Sequence, residues 1–192
     1  MSAGRTAVNR ESHSPERPSV TPNARAWESP RGWALSLALI STVAVAARVA
    51  YVLWVLGPVR SGLDAIWYQL QGGSILAGTG YVVPTSLFEG ELTPTAAFPP
   101  VYPAYQALWQ WMFGPGATAV RMAGVVPGVV TVVLVAILGR ALADARVGLL
   151  AAGAVALSPT LVAADSSTMS ENLTVPLVLA ALVLAHRVLT KG

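Results

Sequence analysis

Four charged side chains of this sequence have the type and placement to do chemistry: Arg48, Asp64, Arg121 and Glu171. Arg48 lies late in an apolar run, and Arg121 opens the next one. A charge inside such a run costs roughly 2.5–3.5 kcal/mol on insertion scales, so it faces protein, a water-filled cavity or the headgroups. Arg48 can snorkel toward the outer face, and Arg121 stands where a cation meets a lipid phosphate. Asp64 and Glu171 fall in the polar links beyond those runs. Carboxylates and a guanidinium at one interface are what transfer of a phosphate-linked group at a membrane needs. A carboxylate takes the proton of an attacking hydroxyl, and a guanidinium holds the phosphate. Each carboxylate also has a plain structural reading. Asp64 stands just before an expected helix, as an N-cap does, and Thr168-Met169-Ser170-Glu171 spells a capping box. Asn172-Leu173-Thr174 matches a glycosylation sequon, which at a helix mouth is accidental.

The elements that must position these groups are membrane spans. Of the 192 residues 54% are hydrophobic and 11% charged, and the mean hydropathy is +0.60. Soluble domains carry about 25% charged residues. The net charge of +3 sits between apolar spans and gathers on no amphipathic face, so nucleic acid is not a partner. With no Cys, and with His13 and His186 far apart, neither a disulfide nor a zinc site of the usual kind is expected. The fold class is all-α, with about four transmembrane helices at 34–57, 122–138, 147–164 and from Leu173 to Leu189. The first two after the loop are near the lower length limit for crossing a bilayer. A signal peptide is the competing reading of the first run, because Ala44-Val45-Ala46 resembles a cleavage site; the run continues past it to Leu56. Pro127 and Pro159 predict kinks. Gly124-x-x-x-Gly128 and Gly148-x-x-x-Ala152-x-x-x-Ala156 offer small faces for close helix packing.

Between the first two spans lies a loop, 58–118, that holds three of the six Trp, four of the five Tyr and all three Phe. Loops this long are often functional. Two helices along the interface are expected in it. The first begins near Asp64 and ends by Gly78–Gly80. The second follows Pro103, with Tyr105, Leu108, Trp109 and Met112 on one face. Residues 1–32 are polar, Pro-rich and basic and read as a disordered cytoplasmic tail, ended by Trp33 at the interface. Nine of the twelve Lys and Arg lie on the N-terminal side of the membrane if the spans alternate; Arg60 and Arg121 lie opposite, and Arg48 is within a span. That bias orients the N-terminus to the cytoplasm and the loop outward, in a multi-pass plasma-membrane protein.

In order, the chain supplies Arg48, Asp64 with Trp67-Tyr68, Gly78-Thr79-Gly80-Tyr81, Pro99-Pro100-Val101-Tyr102-Pro103, Arg121, Gly139-Arg140, Ser158-Pro159 and Ser170-Glu171. This series resembles the N-terminal part of the GT-C membrane glycosyltransferases. It is most similar to the branch of the protein O-mannosyltransferases and aminoarabinose lipid A transferases. The resemblance implies that 33–192 is a GT-C-like transmembrane region and the N-terminal part of a longer domain. It implies a polyprenyl-phosphate sugar donor and a lipid, glycan or protein acceptor, with no nucleotide and no cofactor; a divalent metal is left open. Asp64 would be the general base and Glu171 a second carboxylate on the acceptor side. Tyr68 and Tyr81 would line the sugar pocket, and Arg121 would hold the donor phosphate. Position 65 is Ala where some branches carry a second carboxylate, which argues against a metal bridge there. A noncatalytic protein that binds a lipid-linked glycan, or serves as an assembly subunit, remains the alternative. A transporter is disfavoured by the few paired charges and the absence of a repeated half.

The absence of native Cys makes the orientation testable. A single Cys at position 64 should react with an impermeant maleimide in sealed cells; labelling only after the membrane is opened would reverse the topology.

Overall fold

A computed structural model describes residues 29–56 and 62–191. Residues 1–28 of the expected tail, and Arg60, lie outside the described residues. Helix α1 runs Pro30–Ala50 and continues as a π-helical turn, Tyr51–Val55. It begins four residues earlier than expected because Ser29 caps it, accepting from Gly32 N at 3.0 Å, and Pro30 sits in its first turn. The loop holds α2 (Leu63–Leu76), α3 (Ser86–Glu89) and α4 (Val101–Phe113). Then come α5 (Ala117–Met122), α6 (Val125–Leu142), α7 (Ala145–Leu157), α8 (Pro159–Asp165) and α9 (Glu171–Lys191). The described residues contain no strand, only a single bridge between Val82 and Pro94.

Three helical stretches are long and apolar enough to cross a membrane: Pro30–Val55, Ala117–Leu142 and Glu171–Thr190. The pair α7 and α8 makes a fourth if it is one span, bent by 62°. Pro159, at the start of α8, has no N–H to continue the α7 ladder, so the expected kink is found there. Pro127 behaves differently. The break falls ahead of it, at Ala123–Gly124, and Pro127 sits in the first turn of α6.

That break frees backbone carbonyls in an apolar setting, where each must find a donor. Pro127 offers no N–H to the carbonyl of Ala123, and the Tyr105 hydroxyl donates to it instead. Ala123 N turns to Val120 O at 3.3 Å, leaving the Ala119 carbonyl to the Trp109 indole N–H. Helix α4 thus satisfies what α5 and α6 leave open.

In the bundle α6 packs on α7, α9 and α1, and α1 also lies against α7. Its core is small-residue packing: Ala44, Val132, Ala136, Ala152 and Ala156 are fully buried. Both expected small faces are used. A side chain at Gly148 would run into the Ala136 carbonyl, and one at Gly124 into the Asp165 carbonyl. Most large apolar side chains on α9 point outward, as do Leu35, Leu39, Val43 and Val45 on α1, as lipid-facing helices require. At the end of the bundle opposite the loop, the Arg140 guanidinium stacks 4.5 Å from the Trp33 ring.

In the loop, α2 and α4 run side by side, Tyr68 against Tyr102 and Gly72 against Gln106 and Gln110. A Cβ at Gly72 would lie 2.8 Å from Gln110 Nε2 and 3.1 Å from Ala107 N. The buried face of α4 is therefore Tyr102, Pro103, Gln106, Ala107 and Gln110. The expected stripe of Tyr105, Leu108, Trp109 and Met112 lies on another face, and Leu108 and Met112 on it are about half exposed. The apolar stripe looks outward because the buried glutamines have partners: Gln110 Nε2 donates to Gln69 O, and Gln106 Nε2 to the Tyr102 hydroxyl, both at 3.0 Å.

Gly124→Ala should destabilise the detergent-solubilised protein by about 1–3 kcal/mol or more through overpacking. Gly153→Ala, where a new Cβ meets nothing within 4 Å, should not. Thermal unfolding of the two side by side checks this; equal stabilities would mean that Gly124 is not held against Asp165.

Candidate active site at the loop end of the bundle

The site is built where α1 ends, where α2 and α4 rest, and where the chain turns from α8 into α9. Arg48 is the deepest group. Its Nε donates to Asp165 Oδ2 at 2.7 Å, with the two side chains 1% and 14% exposed. Nη1 donates to the Ala44 and Ala156 carbonyls at 3.2 and 3.4 Å. The expected snorkelling of Arg48 is therefore corrected: a carboxylate at the end of the bent span reaches it first. Gly124 and Gly128, one turn apart on α6, make the room. A Cβ at Gly128 would collide with Arg48 Nε and Asp165 Oδ2. Asp165 is held a second time, by Asn172 Nδ2 donating to its carbonyl at 2.8 Å.

Asp165 and Asn172 are the residues that sequence reasoning missed. The signal for Asp165 was the lone intramembrane Arg48, which called for a carboxylate at matching depth. For Asn172 there was no signal, because the sequon masked a buried side chain bonded to backbone.

Asp64 is exposed in the first turn of α2. It is not the N-cap, a second correction: Gly62 holds that position, with no side-chain cap bond. Asp64 makes no side-chain hydrogen bond among the described residues. Its charge near a helix N-terminus is favourable all the same. Four residues on, and so on the same stripe of α2, comes Tyr68. Its ring is buried edge-on against Phe98 at 5.1 Å and Tyr102 at 5.0 Å. Its hydroxyl donates to Ser170 Oγ at 3.2 Å, and Ser170 Oγ donates to Glu171 Oε2 at 3.4 Å. Tyr68 thus ties α2, with Asp64 one turn away, to the mouth of α9.

Glu171 opens α9, but the capping box does not form. Thr168 is buried at φ 60°, an uncommon conformation for a β-branched residue. The carbonyl of Ser170 accepts the first helical bonds, from Leu173 and Thr174 N at 3.1 Å. Glu171 and Asn172 line a small cleft, about 50 Å³, together with Arg48, Thr131 and Asp165. Tyr81 joins the Tyr68 cluster rather than that cleft: its hydroxyl donates at 2.7 Å to the carbonyl of Phe98, whose ring packs on Tyr68. Burial, and then the neighbouring Tyr68, pushes its phenol pKa up. Burial pushes Tyr102 up strongly too, against the pull of Gln106 and Asn172, and Tyr105 up to about 12. These phenols are neutral donors in the physiological range, not bases. Arg121 is buried in the last turn of α5, three residues before Gly124, which abuts Asp165 and Asn172. Among the described residues no group of His, Asp and Glu is arranged to hold a metal ion.

The arrangement offers two carboxylates at one end of a bundle: a Tyr–Ser bridge ties Glu171 to α2, the helix that carries Asp64, and Glu171 lines the cleft of the buried ion pair. Residues 97–192, half of the chain, match the sequence model of the dolichyl-phosphate-mannose-protein mannosyltransferase family. The matched part includes Arg121, Asp165 and Glu171 and begins after Asp64, Tyr68 and Tyr81. No curated protein and no solved structure matches the chain. With a helical, membrane-spanning build and this match over half its length, the chain belongs to the dolichyl-phosphate-mannose-protein mannosyltransferase family, a GT-C-type family of membrane glycosyltransferases.

Proposed function

We propose that this chain carries the catalytic end of a membrane glycosyltransferase that moves a sugar from a polyprenyl-phosphate donor to an acceptor hydroxyl. Asp64 acts as general base. It removes the acceptor proton as the acceptor oxygen bonds to the anomeric carbon, and the bond from that carbon to the phosphate oxygen breaks. The lipid phosphate leaves with the electron pair. The donor brings its own leaving group, so the protein's task is positioning and charge. Arg121 holds the donor phosphate, Tyr68 and Tyr81 line the sugar pocket, and Glu171 orients the acceptor. That acceptor is a lipid, glycan or protein. The site faces outward, with the N-terminus in the cytoplasm of a plasma-membrane protein, as the Lys and Arg bias supports.

One observation carries this reading: the Tyr68–Ser170–Glu171 string of hydrogen bonds, which brings the helix of Asp64 to the second carboxylate. The exposure of Asp64 fits as well, because a general base must meet an incoming hydroxyl. Asp64→Asn keeps the shape and removes the base. It should insert normally and lose transfer by about 10²–10⁴-fold, read as labelled sugar moved from a polyprenyl-phosphate donor in membranes carrying the full chain. Equal activity in the two proteins rejects Asp64 as the base.

A further inference from the structure

Asp165 belongs to none of the roles above, yet it is the group on which the site's second half rests. It ends the short arm of the bent span, and three of its contacts converge. Its carboxylate takes the buried Arg48 Nε, its carbonyl takes Asn172 Nδ2, and the backbone of α6 is bare at Gly124 and Gly128 where it passes. Only five residues separate Asp165 from Glu171, and Asn172 is the next residue after it. Backbone bonds bracket the turn between them, Ser166 N to Ala163 O at 3.2 Å at the end of α8 and Asn172 N to Met169 O at 3.1 Å at the start of α9. Thr168 sits within it at φ 60°. A turn with an unfavourable residue conformation at its middle is fixed from its two ends. Here those ends are Asp165 and Asn172, bonded to each other.

We propose that Asp165, acting through its ion pair with Arg48, is a positioning residue that sets the 166–170 turn and so aims Ser170 and Glu171 at the transfer site. This rests on the glycosyltransferase reading for its catalytic consequence, but the placement of the turn is independent of it. The pair is a clamp rather than a source of stability. A buried ion pair can be replaced by apolar side chains with little loss of fold, whereas removing one partner leaves a buried charge. Arg48 also lines the cleft beside Glu171 and has a buried Nη2 with no hydrogen-bond partner. Its geometry is therefore set mainly by Asp165 and two carbonyls.

The test uses the full chain in membranes with one added Cys at Ser167, since the protein has none. The maleimide reaction rate at that Cys is compared in the parent, in Asp165→Asn and in the neutral pair Arg48→Met with Asp165→Leu. The clamp predicts faster labelling, by about fivefold or more, in both variants, with insertion retained in the neutral pair. In transfer assays it predicts kcat down by about a hundredfold, the cost of an ångström-scale misplacement, with the donor KM within about twofold. A neutral pair that labels and turns over like the parent would overturn the proposal, because filling the space would then suffice. Parent-like labelling in Asp165→Asn would overturn it as well. If the parent itself transfers no sugar, the proposed function fails while the labelling rates still decide the clamp.

Discussion

The contact between Arg48 and Asp165 is the constraint around which the rest of the structure is arranged. A guanidinium inside a span must be answered by a carboxylate, and breaking such a pair from one side costs about 3–5 kcal/mol. Meeting that demand explains several otherwise separate features. The α7–α8 pair bends by 62° at Pro159, so the last turn of α8, ending in Asp165, meets Arg48 near the end of α1. Helix α6 carries no side chain at Gly124 or Gly128, where a Cβ would strike the pair or the Asp165 carbonyl. The chain then turns back at once into α9, which places Glu171 and Asn172 beside the ion pair.

The loop end is where backbone regularity is given up, and polar side chains take over its hydrogen bonds. Tyr105 and Trp109 satisfy carbonyls at the α5–α6 break. Gln71 donates to Val82 O at 3.0 Å, and the Trp67 indole donates to Gln71 at 2.8 Å. The other end of the bundle is plain by comparison, Ala and Gly packing closed by Asp144, whose carboxylate caps α7 by accepting from Val147 N at 2.8 Å. Irregular backbone is tolerated at membrane depth only inside protein or along a cavity. Its concentration at one end fits the proposal that the transfer site lies there.

Much of this was legible in the sequence. Apolar run lengths placed the spans, and Pro159 gave the bend, because a missing N–H acts locally. The small faces at Gly124, Gly128, Gly148, Ala152 and Ala156 were read correctly as contact faces. What they contact was not, since Gly128 faces the ion pair, and Gly124 the Asp165 carbonyl and the Asn172 amide, rather than an apolar helix. Periodicity counts apolar residues, so it found the stripe of Tyr105, Leu108, Trp109 and Met112 but gave no sign of the buried face of α4, where Gln106 donates to the Tyr102 hydroxyl and Gln110 to Gln69 O. Pairings over such separations, Arg48 with Asp165 or Tyr68 with Ser170, have no local signature. Asp64 as N-cap and Thr168 as the head of a capping box failed for a related reason. Both motifs presume that the helix start is set locally, whereas tertiary contacts fix α2 and α9.

A sugar that arrives on a lipid phosphate, as proposed, needs neither a nucleotide nor a nucleotide-binding fold. The most direct measurement offers membranes carrying the full chain two labelled donors, a polyprenyl-phosphate sugar and the corresponding nucleotide sugar, with endogenous lipid phosphate removed. Label should be released from the lipid-linked donor and none from the nucleotide sugar. Transfer from the nucleotide sugar alone, or no release above empty membranes from either donor, would contradict the proposal.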